Sequence, residues 1–461
     1  MRLASPWTPR LAAGAGPVSE RLAEALAEDI VEGRLPTGAR LPAHRDLAWR
    51  LGIGIGTVTK AYGALARRGL VRAARGRAMF VAPPPGSADG LVDLSRNAPP
   101  SGLTRRLVAT TLAALAKRLE PDMLALYLPA GGRACDREAM ARWLAELGLA
   151  TPPDRLFLVN GAQQALAIAF HLAAGPRGPI LTEALTYPGA IALAAHAGRS
   201  LVPVAIDAEG LVPDALEAAL AACARAGERP VAYVTPTLHN PTTATMGAAR
   251  REAIVALARR FDALLVEDDV YAFSADGSRP PLAALAPERV LYATSLSKTL
   301  SPGLRIGALV VPPGFEQAAE AALVASAASV SPLSCAVLAY WLADGAADAI
   351  RAAIREEAAA RVALARRAFE RAGIALALPQ VPGFHAFLPL PRAAAERLAG
   401  AAAAHGIRVT PPDAVSVDRI GSESGIRLCL GAPPVDRLGD ALTRIAELAR
   451  DVGEERLVVA R

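Results

Sequence analysis

The sequence is poor in aromatic residues and in cysteine. Phe, Trp and Tyr together make up 4% of its 461 residues, and its four cysteines are far apart and form no CxxC pair: Cys135, Cys223, Cys335 and Cys429. This spacing argues against a zinc site and against a disulfide framework. We therefore predict no metal site, and a reducing cytoplasm is the compartment that fits best.

Long apolar runs are also missing. Residues 1–17 include basic side chains but no apolar core long enough for a signal peptide, and no later run is an uninterrupted membrane span. The Ala-rich segment 318–342 comes nearest, but its serines and prolines favour a buried helix. The sequence therefore predicts a soluble protein with no membrane partner.

Charge is nearly balanced over the whole chain. Lys and Arg number 50 against 44 Asp and Glu, and the formal net charge of +6 is too small to identify a partner. Residues 18–81, however, hold eleven basic and six acidic side chains, a local net charge of +5. At this length, with 52% hydrophobic residues, the chain is predicted to form two or three domains. The N-terminal domain, residues 18–81, has the positive charge expected of a module that binds duplex DNA.

Residues 18–81 read as three short helices followed by a hairpin. Apolar residues recur every four positions at Val18, Leu22, Leu26 and Ile30, which predicts one apolar face of a first helix. This helix is expected to end at Gly33. A second helix is expected at 45–51 and a third at 57–69, and two short strand-like runs flank residues 74–76. This order of elements is that of a winged helix-turn-helix.

The same stretch resembles the GntR-type winged helix in the motifs LPAHRDLAWRLG, TVTKAYGAL and RGL and in the RGR tip of the hairpin. In that family the third helix enters the major groove and the wing reaches toward the minor groove. The resemblance implies that double-stranded DNA is contacted by Arg45, Thr57, Lys60, Arg75, Gly76 and Arg77. Gly54 and Ile55 stand where the family usually has Ser-Arg, although Ile55 can contact a thymine methyl group. A basic module that docks on protein is the alternative.

A Pro- and Gly-rich stretch, APPPGSADG, occupies residues 82–90 and contains little that could pack in a core. We predict a linker here, between a DNA-binding domain at 18–81 and a large domain at 91–461. At roughly 3 Å per residue such a linker spans only a few nanometres. Mechanical coupling between the two domains is therefore expected.

From residue 91 onward, helical runs alternate with short apolar runs that predict strands, LFLV (156–159), PILTE (179–183), VAYVTP (231–236), ALLVED (263–268), VLYATS (290–295) and IGALVV (306–311). Strands separated by helix-length segments indicate a largely parallel α/β sheet that is covered on both faces. Ligands bind beyond the carboxyl ends of the strands in such sheets. Polar groups that follow these strands are therefore the candidates for a site.

The run SLSKTLSPGLRIG, residues 295–307, has the strongest chemical pattern. Lys298 can form an imine with an aldehyde, and Arg305, with Ser295 and Ser297, can hold a phosphate. These groups suit pyridoxal 5'-phosphate (PLP), which carries both an aldehyde and a phosphate. Without further context, a solvated turn is the alternative.

Other strand ends offer the remaining contacts that PLP requires. Asp268 can keep a pyridine nitrogen protonated, and Asn240 can donate a hydrogen bond to a phenolate oxygen. The helix that opens at NGAQQAL can cradle an anion around Ala162 and Gln163. Taken one at a time, these residues have ordinary structural explanations: the NGAQQAL segment is a helix start, and the acid at the end of a strand caps a helix. Together they predict a cofactor site.

The region 91–461 resembles the fold type I, aspartate-aminotransferase-like PLP enzymes, which implies an α/β domain with a smaller C-terminal α+β part. By this resemblance Lys298 is the Schiff-base lysine, Asp268 pairs with the pyridine nitrogen, and Asn240 and Tyr271 bind the ring hydroxyl. Tyr187 stacks on the ring; ordinary packing is the alternative for this residue. The phosphate is held by Ala162, Gln163, Ser295, Ser297 and Arg305.

Three further residues are assigned by the same resemblance. Arg427 clamps the carboxylate of the substrate, with a surface salt bridge as the alternative. Tyr127 reaches the phosphate of a neighbouring subunit, which implies a homodimer with shared sites. His385 lies where the family lines its substrate pocket, but we expect it to be a packing residue.

A GntR-type winged helix fused to an aminotransferase-like domain resembles the MocR-type regulators over residues 18–461. The resemblance implies a PLP-dependent, DNA-binding transcription regulator that senses PLP or a small amino compound through a Schiff base at Lys298. The alternative is an active aminotransferase that acts on a 2-amino acid with a 2-oxo acid as acceptor. The two functions do not exclude each other.

Overall fold

The computed structural model describes residues 7–36, 38–68, 70–74, 78–82, 91–175, 178–272, 279–327, 329–418 and 423–459. The chain divides into two compact units, Met1–Leu91 and Val92–Arg461. All but Ala82 of the expected linker at 82–90 lies outside the described residues.

The N-terminal unit is a winged helix-turn-helix. Its described elements are the helices α1 (Val18–Val31), α2 (His44–Leu51) and α3 (Ile55–Arg67) and the antiparallel strands β1 (Val71–Ala74) and β2 (Ala78–Val81). Apolar side chains from all three helices and from both strands form one core. Helix α3 begins two residues earlier than the sequence predicts, because extended Gly54 serves as its N-cap.

A segment ahead of α1 belongs to the same core, which the sequence did not reveal. The Trp7 side chain is buried, and its Nε1 donates a hydrogen bond of 2.5 Å to Asp29 Oδ2. The guanidinium groups of Arg10 and Arg34 also donate to the Asp29 carboxylate. Burial alone raises the pKa of Asp29, but the bonds from Arg10, Trp7 and Arg34 outweigh it and lower that pKa to about 2.

The second unit is built on a seven-stranded sheet. In chain order the strands are β4 (Leu156–Val159), β5 (Ile180–Glu183), β6 (Leu201–Val204), β9 (Val231–Val234), β10 (Leu264–Asp268), β11 (Val290–Ser295) and β12 (Gly307–Val310). In space their order is β4-β12-β11-β10-β9-β5-β6, and only β12 runs antiparallel to its neighbours. The α/β fold class is confirmed, and β6 is a strand that the sequence reading missed.

Helices cover both faces of this sheet. Those described in the second unit before the C-terminal part are α4 (Arg105–Leu115), α5 (Asp122–Ala125), α6 (Ala134–Glu146), α7 (Ala162–Ala174), α8 (Pro188–His196), α9 (Pro213–Arg225), α10 (Ala248–Arg260), α11 (Leu282–Leu285), α12 (Glu316–Ala327) and α13 (Pro332–Ala343). Among the described residues no single helix is long and apolar enough to cross a bilayer; only the bent pair α12 and α13, taken together, has that length and composition.

Alternation along the strands places apolar side chains on both faces of the sheet. In β11, Leu291 and Ala293 share a cluster with Leu166 and other side chains of α7, whereas Val290 and Tyr292 belong to the cluster on the opposite face. Successive side chains of a strand point to opposite faces, so a sheet covered on both faces needs apolar residues at nearly every position. This accounts for the continuous apolar runs in the sequence.

The smaller C-terminal part combines long helices with short strands. It contains α14 (Ala346–Arg371), β13 (His385–Pro389), α15 (Arg392–Ala404), β14 (Ile407–Arg408), β15 (Gly425–Cys429) and α16 (Val435–Val459). Strands β13 and β15 pair antiparallel. The first strand of the unit, β3 (Val92–Asp93), pairs with β14, and a hairpin joins β7 (Ile206–Asp207) to β8 (Gly210–Leu211). The expected C-terminal α+β part is confirmed.

Replacing the Asp29 carboxylate tests the core of the N-terminal unit. We expect Asp29→Asn to lower that unit's free energy of unfolding by about 2–4 kcal/mol, because two arginines lose a buried anionic partner. Urea unfolding followed by tryptophan fluorescence measures the change. Asp46→Asn is the matched control, since Asp46 pairs with Arg50 at the surface and the expected change is below about 0.5 kcal/mol. Equal effects of the two substitutions would contradict the assignment.

Candidate functional site

A cavity of about 190 Å³ lies at the carboxyl end of the sheet. It is lined by Asn97, Ala162, Gln163, Tyr187, Thr235, Asn240, Asp268, Val270, Tyr271, Ser295, Ser297, Lys298, Pro302 and Arg305. Every cofactor residue predicted from the sequence is in this lining except Tyr127, whose side chain is 94% exposed. Residues that are up to 208 positions apart along the chain, from Asn97 to Arg305, therefore meet in one place.

Asp268 ends β10 at the wall of this cavity. Its Oδ2 accepts a hydrogen bond of 2.8 Å from the hydroxyl of Tyr233 on the neighbouring strand, and its Oδ1 is buried with no hydrogen-bond partner among the described residues. Burial and the adjacent Asp269 carboxylate raise the pKa of Asp268 to about 6, against the lowering effects of Tyr233, Lys298 and the backbone N–H of Val270. A buried oxygen without a partner is costly. It fits a protonated ring nitrogen, which would supply the missing donor.

Lys298 lies in the loop after β11, and its Nζ donates to the main-chain oxygen of Asn97. Removal from water lowers the pKa of this amine most, the positive charges of Arg427 and Arg305 also lower it, and Cys429 and Asp268 raise it, so that the pKa of Lys298 is about 8. A lowered pKa leaves more of the amine neutral and nucleophilic. The chain has only two other lysines, Lys60 and Lys117.

The opposite end of the cavity suits an anion. Gly161, at φ +82°, precedes α7, and a Cβ atom at this position would lie 2.7 Å from Nη2 of Arg305. Arg305 is itself left-handed, at φ +53°, and its Nη2 donates to the main-chain oxygen of Asn160. Glycine therefore makes room for the guanidinium beside the N-terminus of α7, where backbone N–H groups and the helix dipole favour a phosphate.

Two predicted phosphate contacts also have local partners. The Gln163 side chain donates to the main-chain oxygen of Gly189 and accepts from the Tyr187 hydroxyl, at 2.9 and 3.1 Å. Ser295 Oγ accepts from the backbone N–H of Ser297 at 3.0 Å, which fixes the turn that leads to Lys298. Gln163 thus orients the predicted stacking tyrosine, and Ser295 shapes the lysine loop.

Asn240 and Tyr271, which also line the cavity, already accept hydrogen bonds from neighbouring side chains. Asn240 Oδ1 accepts from Arg427 Nη1 at 2.7 Å, and Tyr271 accepts from Asn97 Nδ2 at 2.8 Å. Arg427 is 5% exposed, and its Nη2 donates to Ser95 and Thr410. Its Nε has no hydrogen-bond partner among the described residues. Arg427 is therefore a buried cation held by neutral oxygens and not a surface salt bridge.

Glu267, the acid that precedes Asp268, has a structural role. Both oxygens of buried Glu267 accept from the backbone N–H groups of Leu282 and Ala283, so this carboxylate caps the short helix α11. Burial and the nearby Asp269 raise the pKa of Glu267. The helix-cap alternative thus holds for Glu267, whereas Asp268 faces the cavity.

His385 is enclosed beside the site. Its ring lies 5.7 Å from that of Tyr271, and its Nε2 is 3.2 Å from the main-chain oxygen of His239. Burial and the charge of Arg427 lower the pKa of His385 to about 3, so the ring is neutral at ordinary pH. These contacts favour the expected packing role.

Several residues of this site were not identified from the sequence. Tyr233 lies inside an apolar strand, and Asn97 precedes a Pro-Pro pair just after the predicted linker. Thr235, Val270 and Pro302 also line the cavity. A hydroxyl within an otherwise apolar central strand was the one available signal for Tyr233.

The N-terminal unit presents part of its predicted DNA-binding face. Arg45 and Lys60 are exposed, Thr57 is partly buried near the start of α3, and Ile55 is 50% exposed. Trp49 on α2 is 83% exposed, and the sequence did not single it out. The predicted wing contacts, Arg75, Gly76 and Arg77, lie outside the described residues.

The chain belongs to the class I and II aminotransferase family, whose family model matches residues 89–445. Residues 18–81 match the family model of the gntR bacterial regulatory proteins. The expected fusion of a GntR helix-turn-helix domain with an aminotransferase-like domain is thus confirmed.

Over most of its length the chain is similar to proteins that are named HTH-type transcriptional regulators. The HTH-type transcriptional regulator TauR of Rhodobacter capsulatus is 30% identical over 409 residues, covering 79% of this chain and 82% of TauR. The uncharacterized HTH-type transcriptional regulator YdeF of Bacillus subtilis is 27% identical over 374 residues, covering 78% of this chain and 79% of YdeF. An archaeal alanine:glyoxylate aminotransferase superposes with a TM-score of 0.73 at 22% identity, covering 89% of this chain and 100% of that chain. The last likeness shows the fold.

The lowered pKa of Lys298 leads to a prediction about pH. When PLP is mixed with cofactor-free protein, the rate at which the lysine-bound absorbance band forms should rise with pH and level off above about 9, because the amine titrates near 8. An ordinary lysine would titrate near ~10.4. Stopped-flow absorbance from pH 6.5 to 10.5 measures the profile. Lys117→Ala should behave as wild type and Lys298→Ala should show no band. A rate that still rises at pH 10.5 would contradict the environment described for Lys298.

Proposed function

We propose that the protein is a PLP-dependent, DNA-binding transcription regulator of the MocR type. The observation that carries this proposal is the presence of a GntR domain and an aminotransferase-like domain in one chain. Relatives over most of the chain are named HTH-type transcriptional regulators, which supports a regulator over an enzyme. We further propose that the domains span 18–81 and 91–461, joined by the linker 82–90, and that the protein acts in the cytoplasm.

PLP is the cofactor that we propose for the cavity. The buried Oδ1 of Asp268 suits a pyridinium N–H, Lys298 the aldehyde, Tyr187 the ring face, and Arg305 with the α7 N-terminus the phosphate. Asn240 and Tyr271 are the partners proposed for the ring hydroxyl, and Ser295 and Ser297 contribute to the phosphate end. When bound, PLP supplies an aldehyde that captures amines and a ring that stabilises negative charge.

A small amino compound is the proposed effector or substrate. Arg427 is a buried guanidinium whose current partners are neutral oxygens, so a carboxylate would be a stronger acceptor for it. Lys298, whose lowered pKa favours its neutral amine, can release and take up a proton beside the bound amine. These two residues would recognise the acid and the amine of one molecule.

Double-stranded DNA is the partner proposed for the N-terminal unit. Arg45 and Lys60 provide exposed positive charge for phosphate contacts, and Thr57 lies on the same helix as Lys60. Exposed Ile55 offers an apolar contact in place of a second charge. We propose the wing residues Arg75, Gly76 and Arg77 as contacts from the family resemblance alone.

A homodimer is proposed from an apolar surface on the second unit. Helices α4 and α5 both contact α13, and these helices, with Leu126 directly after α5, expose Val108, Leu112, Leu124, Leu126 and Leu333 by 40% to 65% of their surface. Apolar patches of this kind mark protein contacts. Tyr127, next to Leu126, is free to reach a second copy, as predicted for a shared site.

An active aminotransferase is the second candidate. The set Lys298, Asp268, Tyr271 and Arg427 around one cavity favours it, since a sensor of PLP alone needs neither an electron sink nor a carboxylate clamp. Such an enzyme would act on a 2-amino acid and use a 2-oxo acid as the acceptor of the amino group. It would use the site of the regulator without change.

One experiment separates the two candidates. Purified PLP-bound protein is given amino acids with 2-oxoglutarate or pyruvate, and both keto-acid turnover and binding to a duplex from its own upstream DNA are measured. We expect DNA binding that weakens steeply with salt, and Lys60→Ala should reduce the logarithmic salt slope by about one unit if Lys60 contacts a phosphate. Lys117→Ala, which removes an exposed lysine of the other unit, is the matched control. Sustained turnover without DNA binding would exclude the regulator.

A further inference from the structure

The segment just after the predicted linker forms one side of the cofactor site. Residues 92–97, which we call the strap, contain β3. The backbone N–H of Leu94 donates to the main-chain oxygen of Arg408 at 2.7 Å, and Leu94 accepts from the N–H of Cys429 at 2.8 Å. These bonds attach the first half of the strap to β14 and β15.

The second half of the strap is held by two cations of the candidate site. Lys298 Nζ donates to the main-chain oxygen of Asn97, and Arg427 Nη2 donates to that of Ser95 at 3.0 Å. Both are charge-assisted bonds to backbone carbonyls, which makes them stronger than bonds between neutral groups. The strap is thus tied to the lysine and the arginine that would bind the two ends of a ligand.

Capture of an aldehyde by Lys298 would break the first of these bonds. The amine nitrogen forms a bond to the carbonyl carbon, and the carbonyl oxygen leaves as water with two of the protons of the ammonium group. The third proton stays on the nitrogen or passes to solvent, so the nitrogen of the planar C=N group carries at most one proton. A free ammonium has three N–H donors that rotate about the side chain. The donor that reaches Asn97 is therefore removed or turned away.

Arrival of a carboxylate would weaken the second bond. A carboxylate accepts two parallel N–H bonds from a guanidinium and carries a full negative charge. The main-chain oxygen of Ser95 offers one neutral acceptor, and it retains a second donor in the hydroxyl of Thr410 at 3.3 Å. Arg427 would turn from the strap to the ligand.

We propose that the strap reports occupancy of the cavity to the linker, through the main-chain oxygens of Ser95 and Asn97. Both cations hold the strap through these hydrogen bonds, and an aldehyde or a carboxylate that engages them releases it. The strap follows the predicted linker directly in the sequence, so it is the part of the second unit through which occupancy of the cavity can be passed toward the DNA-binding unit. The use of this signal to control DNA binding rests on the proposed function; the release of the strap does not.

Hydrogen–deuterium exchange of the full chain tests the release directly. We compare cofactor-free protein with protein saturated with PLP, and follow a peptide that covers residues 91–98. Its amides should exchange about tenfold faster with PLP bound, the factor that corresponds to roughly 1.4 kcal/mol at 25 °C. Peptides from the central strands β9 and β10 should not exchange faster, which serves as the internal control.

Two substitutions of Lys298 distinguish the hydrogen bond from a general effect of the ligand. In Lys298→Ala the donor is lost, so exchange of the strap should be fast without PLP and unchanged by it. In Lys298→Arg a cationic donor is kept but no C=N bond can form, so exchange should stay slow in both conditions. Slower or equal exchange of the strap in PLP-bound wild type would overturn the proposal, as would slow exchange in Lys298→Ala.

The same samples keep the two proposals separable. If the strap is released but PLP leaves DNA affinity unchanged, the strap proposal stands and its use in regulation fails. If PLP changes DNA affinity while exchange of the strap is unchanged, the regulator stands and the strap is not the route. Each result therefore decides one claim.

Discussion

The arrangement of the second unit depends on one buried carboxylate. Asp268 stands at the end of a central strand, where Tyr233 satisfies one of its oxygens and nothing described satisfies the other. Burial raises the pKa of this group to about 6. A carboxylate in such a place is costly unless a donor of positive charge arrives, and a protonated pyridine ring is a donor of the right kind. The cofactor would therefore relieve a cost that the fold creates.

Two cations, Lys298 and Arg305, line the same cavity, and a third, Arg427, contacts its lining residue Asn240. Among the described residues none of the three has a carboxylate within salt-bridge distance. Each is held instead by a main-chain or amide oxygen, from Asn97, Asn160, Ser95 or Asn240. Burial lowers the pKa of Lys298, and repulsion from Arg427 and Arg305 lowers it as well, which keeps the amine reactive. An anionic ligand would reduce the repulsion among these cations, so electrostatics favour a cavity that holds such a ligand.

Much of the site could be predicted because its residues follow strands in the sequence. Parallel strands bring their carboxyl ends to one edge, so Asn240, Asp268 and Lys298 were found from their positions after strands together with the chemistry of their side chains. Tyr233 and Asn97 were missed, since one lies inside a strand and the other acts in part through its main-chain oxygen. The antiparallel direction of β12 and the burial of Trp7 depend on tertiary contacts that no local pattern encodes.

The most direct test of this account is the protonation of the cofactor ring. PLP labelled with ¹⁵N in the ring is bound to wild type and to Asp268→Asn at pH 7.5, and the ¹⁵N chemical shift is measured by NMR. We predict a protonated ring nitrogen in wild type, held by Asp268 Oδ1, and a neutral one in the variant. A neutral ring nitrogen in wild type, or a protonated one in both proteins, would contradict the role assigned to Asp268.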